Sequence, residues 1–586
     1  MNLEVNKQIL ITEETPPKGI FSVAHRIKSY FLGHPTGFWF FFWGEFAERC
    51  SYYGMRAILA VYMAEQLGLG EANAATYMSF FISACYFLPL LGGYIADRFF
   101  GKYWTIVGFS IPYILGHIVL GVETFTFLVI ALVLLAMGSG VIKPNISTLM
   151  GLTYDQQRPG QTQLRSDAFA LFYFSINIGA AISQFAMPPI RTAYSYAVAF
   201  MFPAVLMVVS FAIFAAGKKY YAVETISRKK KTPEEKAEQW RILRRIFGLF
   251  FLVMFFWAIF DQSASTWIFF TNACMDRHIF GIEMDAEQMQ GFNPVLILLL
   301  LPPITLLWRH LNNKGLHIRP TDKMIVGFIL TGVCMGLMAF AAWMAGAADL
   351  RPGIVNTARD KQASFRLESS QPLTFDGDVK MTAIAPNVIT ATLTTKETTP
   401  DGKIKTDRNT LTITGSALLK LAANEEQTQV RIDGSITKIE LTPAGGETAI
   451  FSEGPATVTL TGSKEDLNIS ERWFVAPDRQ VTVWWLVVAY IIITVAEILI
   501  SVTGLELAYS AAPQHMTGFV TACWLLTVAL ANLLINAPIT RLYPVMQPMA
   551  YFAMLTVTIA VVSVAFVIVA KRFNSSAGHE PAPEAS

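Results

Sequence analysis

Charge is scarce in this chain. Only 15% of its 586 residues are Asp, Glu, Lys or Arg, against roughly 25% in soluble domains. That shortage, beside 53% hydrophobic residues and 43 phenylalanines, excludes a soluble globular protein and places the chain among polytopic membrane proteins. A net charge of +2 gives no basis for nucleic-acid binding. Cysteine is sparse too. Cys50, Cys85, Cys274, Cys334 and Cys523 all lie in or beside apolar runs, without a CxxC spacing, which removes a disulfide framework and a thiolate metal site. There is no HExxH, no GxSxG and no Ser–His pairing within those runs, so an enzyme has no motif to stand on. No metal and no cofactor is expected. The N-terminal "MNLEVNKQILITEETPPKGIF" is mixed in charge and too polar for a cleaved signal peptide.

Long apolar runs are abundant. Stretches of about 20 residues, enough to span a bilayer, fall near 37–66, 76–99, 103–121, 125–151, 167–187, 194–216, 247–273, 291–308, 323–347, 481–508, 517–541 and 547–570. They form two groups of six, divided by the Lys- and Arg-rich stretch 217–246. Arg98, Lys102, Arg158, Arg165, Arg309, Lys314, Arg319, Lys571 and Arg572 fall on the same side as that linker if the spans alternate. The positive-inside rule then puts the linker and both termini in the cytoplasm of a multi-pass protein of the cell (inner) membrane. The expected organisation is a cytoplasmic segment 1–35, a six-helix bundle 36–216, the linker 217–246, helices seven to nine in 247–347, an outer domain 348–480, helices ten to twelve in 481–571 and a disordered tail 572–586.

Residues 348–480 break the pattern, and parity places them outside the cell or in the periplasm. "NVITATLTTKE", "TLTITG", "VRIDGSITKIEL" and "ATVTLTG" alternate with period two and are rich in Thr and Val. They predict strands with one polar face, gathered in a small all-β sandwich. Asp433–Gly434 and "TPDGK" at 399–403 predict tight turns between strands.

The first apolar run contains "GEFAERCSYYGMRAIL", residues 44–59. Glu45, Glu48, Arg49, Tyr52 and Arg56 step by three or four and share one helix face. At a helix centre each charge costs roughly 2.5–3.5 kcal/mol, so four facing lipid would cost on the order of 10 kcal/mol. The stripe therefore faces the bundle interior. A structural ion-pair cluster is the plainer reading, yet ionisable groups inside a membrane are by default substrate or proton sites. Lys143 in "GSGVIKPNIS", Asp261 in "FWAIFDQSAS" and Glu497 in "TVAEILISVTGLE" add charge to both halves, and Asn177 in "FYFSINIGA" adds an amide. Such a distribution suits a site between two repeats near the midplane. Glu45, Glu48, Asp261 and Glu497 are four acids against three bases, Arg49, Arg56 and Lys143. A dry cavity does not tolerate the extra carboxylate unless it takes a proton. A zwitterion adds no net charge and re-pairs both signs. Sign and number alone thus suggest proton-linked handling of a small zwitterion.

"EFAERCSYYG" closely resembles the ExxERFxYYG motif of the proton-dependent oligopeptide transporters, a branch of the major facilitator superfamily. Cys50 stands where that motif has Phe. "FYFSINIGA" resembles the family's second motif, and "GGYIADRFFGK", with Gly93, Asp97, Arg98, Gly101 and Lys102, is similar to the superfamily's loop between helices two and three. The likeness runs over nearly all twelve spans and implies an all-α membrane fold of two six-helix bundles, with the β domain inserted where animal members carry one. By resemblance, Glu45, Glu48, Arg49, Lys143 and Asp261 take part in proton coupling, and Arg56 with Asp261 forms a gate. Arg49, Arg56 and Lys143 face a peptide carboxylate, and Asn177, Asn293 and Glu497 face its amino group. Tyr52, Tyr53, Tyr86, Trp257 and Trp524 line side-chain pockets. Ser79 stands where animal members have a proton-handling histidine, so coupling here is expected to rest on carboxylates. His117, a lone histidine within a span, is read as a packing residue.

The implied function is proton-driven symport of di- and tripeptides by alternating access, with peptides, protons and the bilayer as partners and one chain as the transporting unit. Transport of another small solute such as nitrate is the alternative within the fold, and Glu497 speaks against an anion. A membrane-anchored peptide receptor acting through the β domain, whose own partner is undefined, is the alternative of another class.

Overall fold

The computed structural model describes residues 33–224, 232–316, 318–357, 363–385, 388–398, 404–423, 428–443, 446–462, 467–475, 477–510 and 517–577. Eleven of the helices are long and apolar enough to cross a membrane. The Thr36–Val61 helix, 26 residues long, is not among them. It carries Glu45, Glu48, Arg49 and Arg56 within three turns, and those charges lower its hydropathy. All four are nevertheless turned away from lipid, Glu45, Glu48 and Arg49 fully buried and Arg56 half-buried.

In the first half, the Thr36–Val61 helix packs against Thr162–Ala193 and Tyr196–Ala216, and Phe125–Gln157 packs against Gly70–Ile95 and Lys102–Leu120. Small residues set how near these helices come. A Cβ on Gly92 would stand 2.7 Å from the Cα of Val141, and one on Gly179 would stand 2.9 Å from the carbonyl oxygen of Phe46 and 3.3 Å from the Cβ of Arg49. Gly179, inside "FYFSINIGA", thus lets its helix lie directly on the backbone that carries the charged stripe. The second half is built on Pro320–Ala345 packed against Trp484–Glu497 and Pro548–Ala577. The halves meet where Gly70–Ile95 touches Thr517–Leu530 and where Thr162–Ala193 touches the Ala286–Gly291 turn and the Phe292–Asn313 helix.

The first half has π-turns at two helix ends, Tyr62–Gln66 and Ala96–Phe100, whereas helices of the second half are interrupted within their length. The expected span 247–273 is two helices, Pro233–Phe260 and Thr266–Cys274, joined by a 3-10 turn over Asp261–Ala264. The run 481–508 contains a π-turn, Ile498–Val502, directly after Glu497. The next run contains another, Ala531–Asn536. Widened turns of this kind gather at functional sites.

Nine strands between Asp349 and Phe474 form one antiparallel sheet. They are β4 (Asp349–Thr357), β5 (Ala363–Glu368), β6 (Leu373–Ala385), β7 (Val388–Thr398), β8 (Ile404–Ala423), β9 (Thr428–Thr442), β10 (Ala449–Glu453), β11 (Thr457–Gly462) and β12 (Leu467–Phe474). Two short pairings surround them: β1 (Met275–Asp276) with β13 (Val481–Thr482), and β2 (His278–Ile279) with β3 (Ile282–Glu283). The sandwich expectation needs correction. The first residues of β6 pair with β5 and the rest with β7, so the ladder runs β6–β7–β8–β9–β11–β5 and back to β6. A closed ring leaves those six strands without the two free edges that each sheet of a sandwich keeps. Phe365, Leu367, Ile389, Leu393, Leu411 and Leu460 fill a core separate from that of the helices, and alternate residues along β7 are buried, as period two requires.

Asp433–Gly434 is not a turn. β9 runs through it, with Asp433 opposite Leu418 and Gly434 opposite Ala417 on the long strand β8. Pairing with a 20-residue partner overrides the local turn preference, and the one irregularity of that pairing leaves Thr437 of β9 as an extra residue opposite the Thr414–Gly415 step of β8. The turn expected at 399–403 lies outside the described residues.

The β module is strapped to helix ends at both its entry and its exit. Ala348 and Gln547 exchange hydrogen bonds of 3.0 and 2.8 Å. The indole N–H of Trp473 donates to the carbonyl of Tyr543 at 2.9 Å.

Substituting Gly179 with Val is expected to push the two helices apart, at a cost of about 1–3 kcal/mol. Gly93→Ala, which meets nothing within 4 Å, serves as the control. Thermal unfolding of the purified proteins checks this, and equal melting temperatures for both variants would contradict the packing described.

Candidate functional site

Two adjoining polar centres occupy the middle of the helical region. The first belongs to the first half. Arg49 Nε stands 2.6 Å from Glu45 Oε1 and 3.0 Å from Glu48 Oε2, and Tyr113 donates its hydroxyl to Glu48 Oε1 at 3.0 Å. One guanidinium thus serves two carboxylates, and among the described residues Glu45 Oε2 is buried without a hydrogen-bond partner. Lys143 is close to this group but is not ion-paired with it among the described residues. Its ammonium lies 3.9 Å from the ring centre of Tyr52 and 5.6 Å from that of Tyr86, a cation–π arrangement that leaves the charge unneutralised.

The second centre is a cavity of about 360 Å³ between the halves, within the size range of small-ligand sites. It gathers nine of the residues singled out from the sequence: Tyr53, Arg56, Tyr86, Asn177, Trp257, Asp261, Asn293, Glu497 and Trp524. The other five, Glu45, Glu48, Arg49, Tyr52 and Lys143, lie outside its wall. The stripe therefore divides, with Arg56 facing the cavity and the Glu45–Glu48–Arg49 group set back behind it.

Charge in the cavity is arranged in two poles. At one, Arg56 Nη2 stands 3.3 Å from Asp261 Oδ1, an ion pair that crosses from one half to the other. At the other, Asn293 Nδ2 donates to Glu497 Oε2 at 2.8 Å and to Thr494 Oγ1 at 3.1 Å. Asn177 donates to the carbonyl of Tyr173, one turn back.

Behind Asp261 runs an amide chain that the sequence reading missed. Asn532 Nδ2 donates to Asp261 Oδ2 at 2.7 Å, Asn536 Nδ2 to Asn532 Oδ1 at 2.9 Å, and Gln262 Nε2 to Asn536 Oδ1 at 2.6 Å. Thr266 and Tyr551 both donate their hydroxyls to Gln262 Oε1. Each donor points towards the carboxylate, so the chain of amides ends on Asp261. The π-turn Ala531–Asn536 supplies both asparagines. Their spacing of four in the apolar "ANLLIN" was the available signal.

His117 is buried, with Ser51 Oγ 2.8 Å from its Nε2 and its ring stacked on Tyr113, as a packing role requires. Ser79 donates to the carbonyl of Ala75 within its own helix.

Between described residues, the polar bonds that cross the halves lie from the Arg56–Asp261 pair outward to the β module. Arg191 Nη2 is 2.6 Å from Glu287 Oε1, Gln290 donates to the carbonyl of Ala57, Gln288 donates to that of Phe185, and Arg472 Nη1 is 3.0 Å from Glu65 Oε1. These bonds hold the halves together towards the β module.

The PTR2 family model, described as the POT family, matches residues 103–234, 222–365 and 458–552. The chain belongs to the POT family. The matched segments omit 366–457, which is most of the β module. Among curated proteins, the chain is 28% identical to "Peptide transporter family 1" of Drosophila melanogaster, over 86% of this chain and 83% of that protein. It is 26% identical to "Solute carrier family 15 member 2" of Oryctolagus cuniculus, over 89% and 88%. Among solved structures, a peptide transporter POT in complex with sulfate superposes with a TM-score of 0.64 at 20% identity, over 93% of this chain and 96% of that one. The POT family transporter PepTSo superposes with a TM-score of 0.61 at 22% identity, over 92% and 99%. The fold is thus that of POT transporters, a family of transporters rather than enzymes.

Asn532→Leu removes the amide donor from Asp261, and a hydrogen bond to a charged group is worth about 1.5–3 kcal/mol. Transport by this variant is expected to fall on the order of tenfold, with Asn532→Gln restoring part of it and gel-filtration profiles unchanged. Wild-type uptake by Asn532→Leu would show that the chain of amides does not act on the site.

Proposed function

We propose that this chain is a proton-coupled symporter of di- and tripeptides that works by alternating access. The observation that carries the reading is the pair of opposed poles in one cavity between the halves: an arginine engaged by a breakable partner, and a glutamate held by an amide. A peptide's carboxylate is matched to Arg56 and its amino group to Glu497 and Asn293, while Tyr53, Tyr86, Trp257 and Trp524 offer apolar walls for its side chains. The Drosophila peptide transporter among its relatives supports the same cargo.

The protein stands as twelve crossings when the charged Thr36–Val61 helix is counted with the eleven apolar ones. Its basic linker and both ends face the cytoplasm, the β module faces outward, and one chain is the working unit. A proton arriving from outside neutralises Asp261, and Arg56 is then free to meet the peptide's carboxylate. The peptide bridges the halves, which rock about it. Glu45, Glu48 and Arg49 form the second proton station. Two acids on one guanidinium leave a carboxylate oxygen of Glu45 with no partner, and a proton there removes the excess negative charge from a dry site. Lys143, held over Tyr52, is the cation positioned to exchange places with that proton. Proton-motive force supplies the work, about 2.3 kcal/mol per charge for each 100 mV.

Labelled dialanine should accumulate in proteoliposomes of the purified protein when a pH gradient is imposed. Nitrate uptake without peptide uptake would assign the fold to anion transport instead. Glu48→Gln should abolish uphill accumulation and leave peptide exchange measurable. Loss of both would mean that Glu48 serves binding or structure. Lys143→Ala should also lose pH-driven uptake, and normal accumulation by that variant would remove Lys143 from the coupling route.

A further inference from the structure

A second cavity, of about 730 Å³, opens at the linker end of the first half. It lies between the start of the Lys102–Leu120 helix and the chain that follows the Tyr196–Ala216 helix. Phe100, Tyr103, Trp104 and Tyr221 give it aromatic walls, and Lys218 and Lys219 bring two ammonium groups to it.

The acid in that wall, Glu224, is already engaged. Its two carboxylate oxygens accept the backbone N–H groups of Lys102 at 2.6 Å and Tyr103 at 2.9 Å. It caps the free end of that helix and meets its partial positive charge. Gly101, at φ +77, makes the turn that exposes those two N–H groups. Among the described residues the lysines are thus left with rings. Lys218 Nζ is 4.3 Å from the ring centre of Trp104 and 5.2 Å from that of Tyr103, and Lys219 Nζ is 4.9 Å from that of Tyr220. A ring holds a cation in place without cancelling its charge.

The outer lip is apolar and open. Phe100 and Trp104 are both more than half exposed, at the adjoining ends of two helices of membrane-crossing length, Gly70–Phe100 and Lys102–Leu120. Trp and Tyr mark the depth of lipid headgroups, and lysines just beyond them reach the phosphate layer. The cavity therefore presents unneutralised positive charge at headgroup depth, beside an apolar surface that continues into the hydrocarbon.

We propose that this cavity holds the headgroup of an anionic phospholipid from the leaflet at the linker end. The lipid phosphate meets Lys218 and Lys219, and the acyl chains run past Trp104 and Phe100. A soluble phosphate would use the lysines alone, whereas a lipid uses the aromatic lip as well.

The test uses the full chain in nanodiscs of phosphatidylcholine, with or without phosphatidylglycerol. Lipid retained by the protein is read by native mass spectrometry, and thermal stability is read alongside. Wild-type protein should retain phosphatidylglycerol over phosphatidylcholine and melt several degrees higher in its presence. The Lys218→Ala, Lys219→Ala double variant should lose that preference on the order of tenfold or more. Lys218→Arg with Lys219→Arg should keep it, and Trp104→Ala should weaken it. If the alanine pair does not fold, the arginine pair and Trp104→Ala decide. Equal phosphatidylglycerol retention by wild type and every variant would overturn the proposal. So would stabilisation by inorganic phosphate equal to that by the lipid, which would make this a free-anion site. Neither readout involves peptide or a pH gradient, so failure here leaves the transport reading standing.

Discussion

A charge cannot sit alone in a medium without water. Burying one unpaired costs far more than any single packing contact returns, so every carboxylate in the helical region has to find a partner or a proton. Arg49 gathers Glu45 and Glu48 from its own helix, so this group travels intact with the first half. Arg56, two turns on, has its partner on the other half. One face of one helix thus carries a pair group that motion does not disturb and a pair that motion must break. On the function proposed above, that division separates a proton station from a gate.

The two halves supply different chemistry to the shared cavity. The first presents a regular helix and a row of formal charges. The second presents carboxylates backed by amides, each placed at a break in helical geometry: Asp261 in a 3-10 turn, Glu497 before a π-turn, Asn532 and Asn536 inside one. Irregular backbone at membrane depth frees peptide groups that lipid cannot satisfy, so it is tolerated only against protein or a wet cavity. Those breaks therefore lie where the cavity is, and they rotate side chains off the positions that a straight helix would give them. The amide chain from Gln262 through Asn536 and Asn532 to Asp261 exists because of that rotation.

Membrane organisation, the charged stripe and most of the cavity wall were legible because each departs from what lipid permits. An acid in oil announces itself, and Glu45, Glu48, Asp261 and Glu497 are all buried or cavity-facing as their cost demands. Asn532 and Asn536 were not legible, since one amide in an apolar run is cheap and gives no direction. Sequence also could not tell that Arg49 and Lys143 stand behind the cavity while Arg56 stands in it, because one helix face can serve two centres. In the β module the alternation of Thr with Val, Ile and Leu marked the strands. The closed ring and the uninterrupted β9 depend on which strands pair, and local turn preference at Asp433–Gly434 carries no knowledge of β8.

Three arginines hold the halves together towards the β module: Arg56 on Asp261, Arg191 on Glu287 and Arg472 on Glu65. They are not equal. Glu65 keeps a quarter of its side chain in water, and an exposed pair is worth little. Arg472 does its work as a strap, since it belongs to the last strand of the module and reaches back to the first half. Asp261 and Glu287 are almost wholly covered, so breaking their pairs leaves a buried charge uncompensated unless water or a proton arrives. The resistance to opening is therefore concentrated in the two pairs whose anionic member is a buried carboxylate. A latch built from arginine on aromatic rings would hold less firmly and ignore pH. One built from arginine on carboxylate can be released by the ion that drives transport, because a proton removes the anion and leaves every other contact in place.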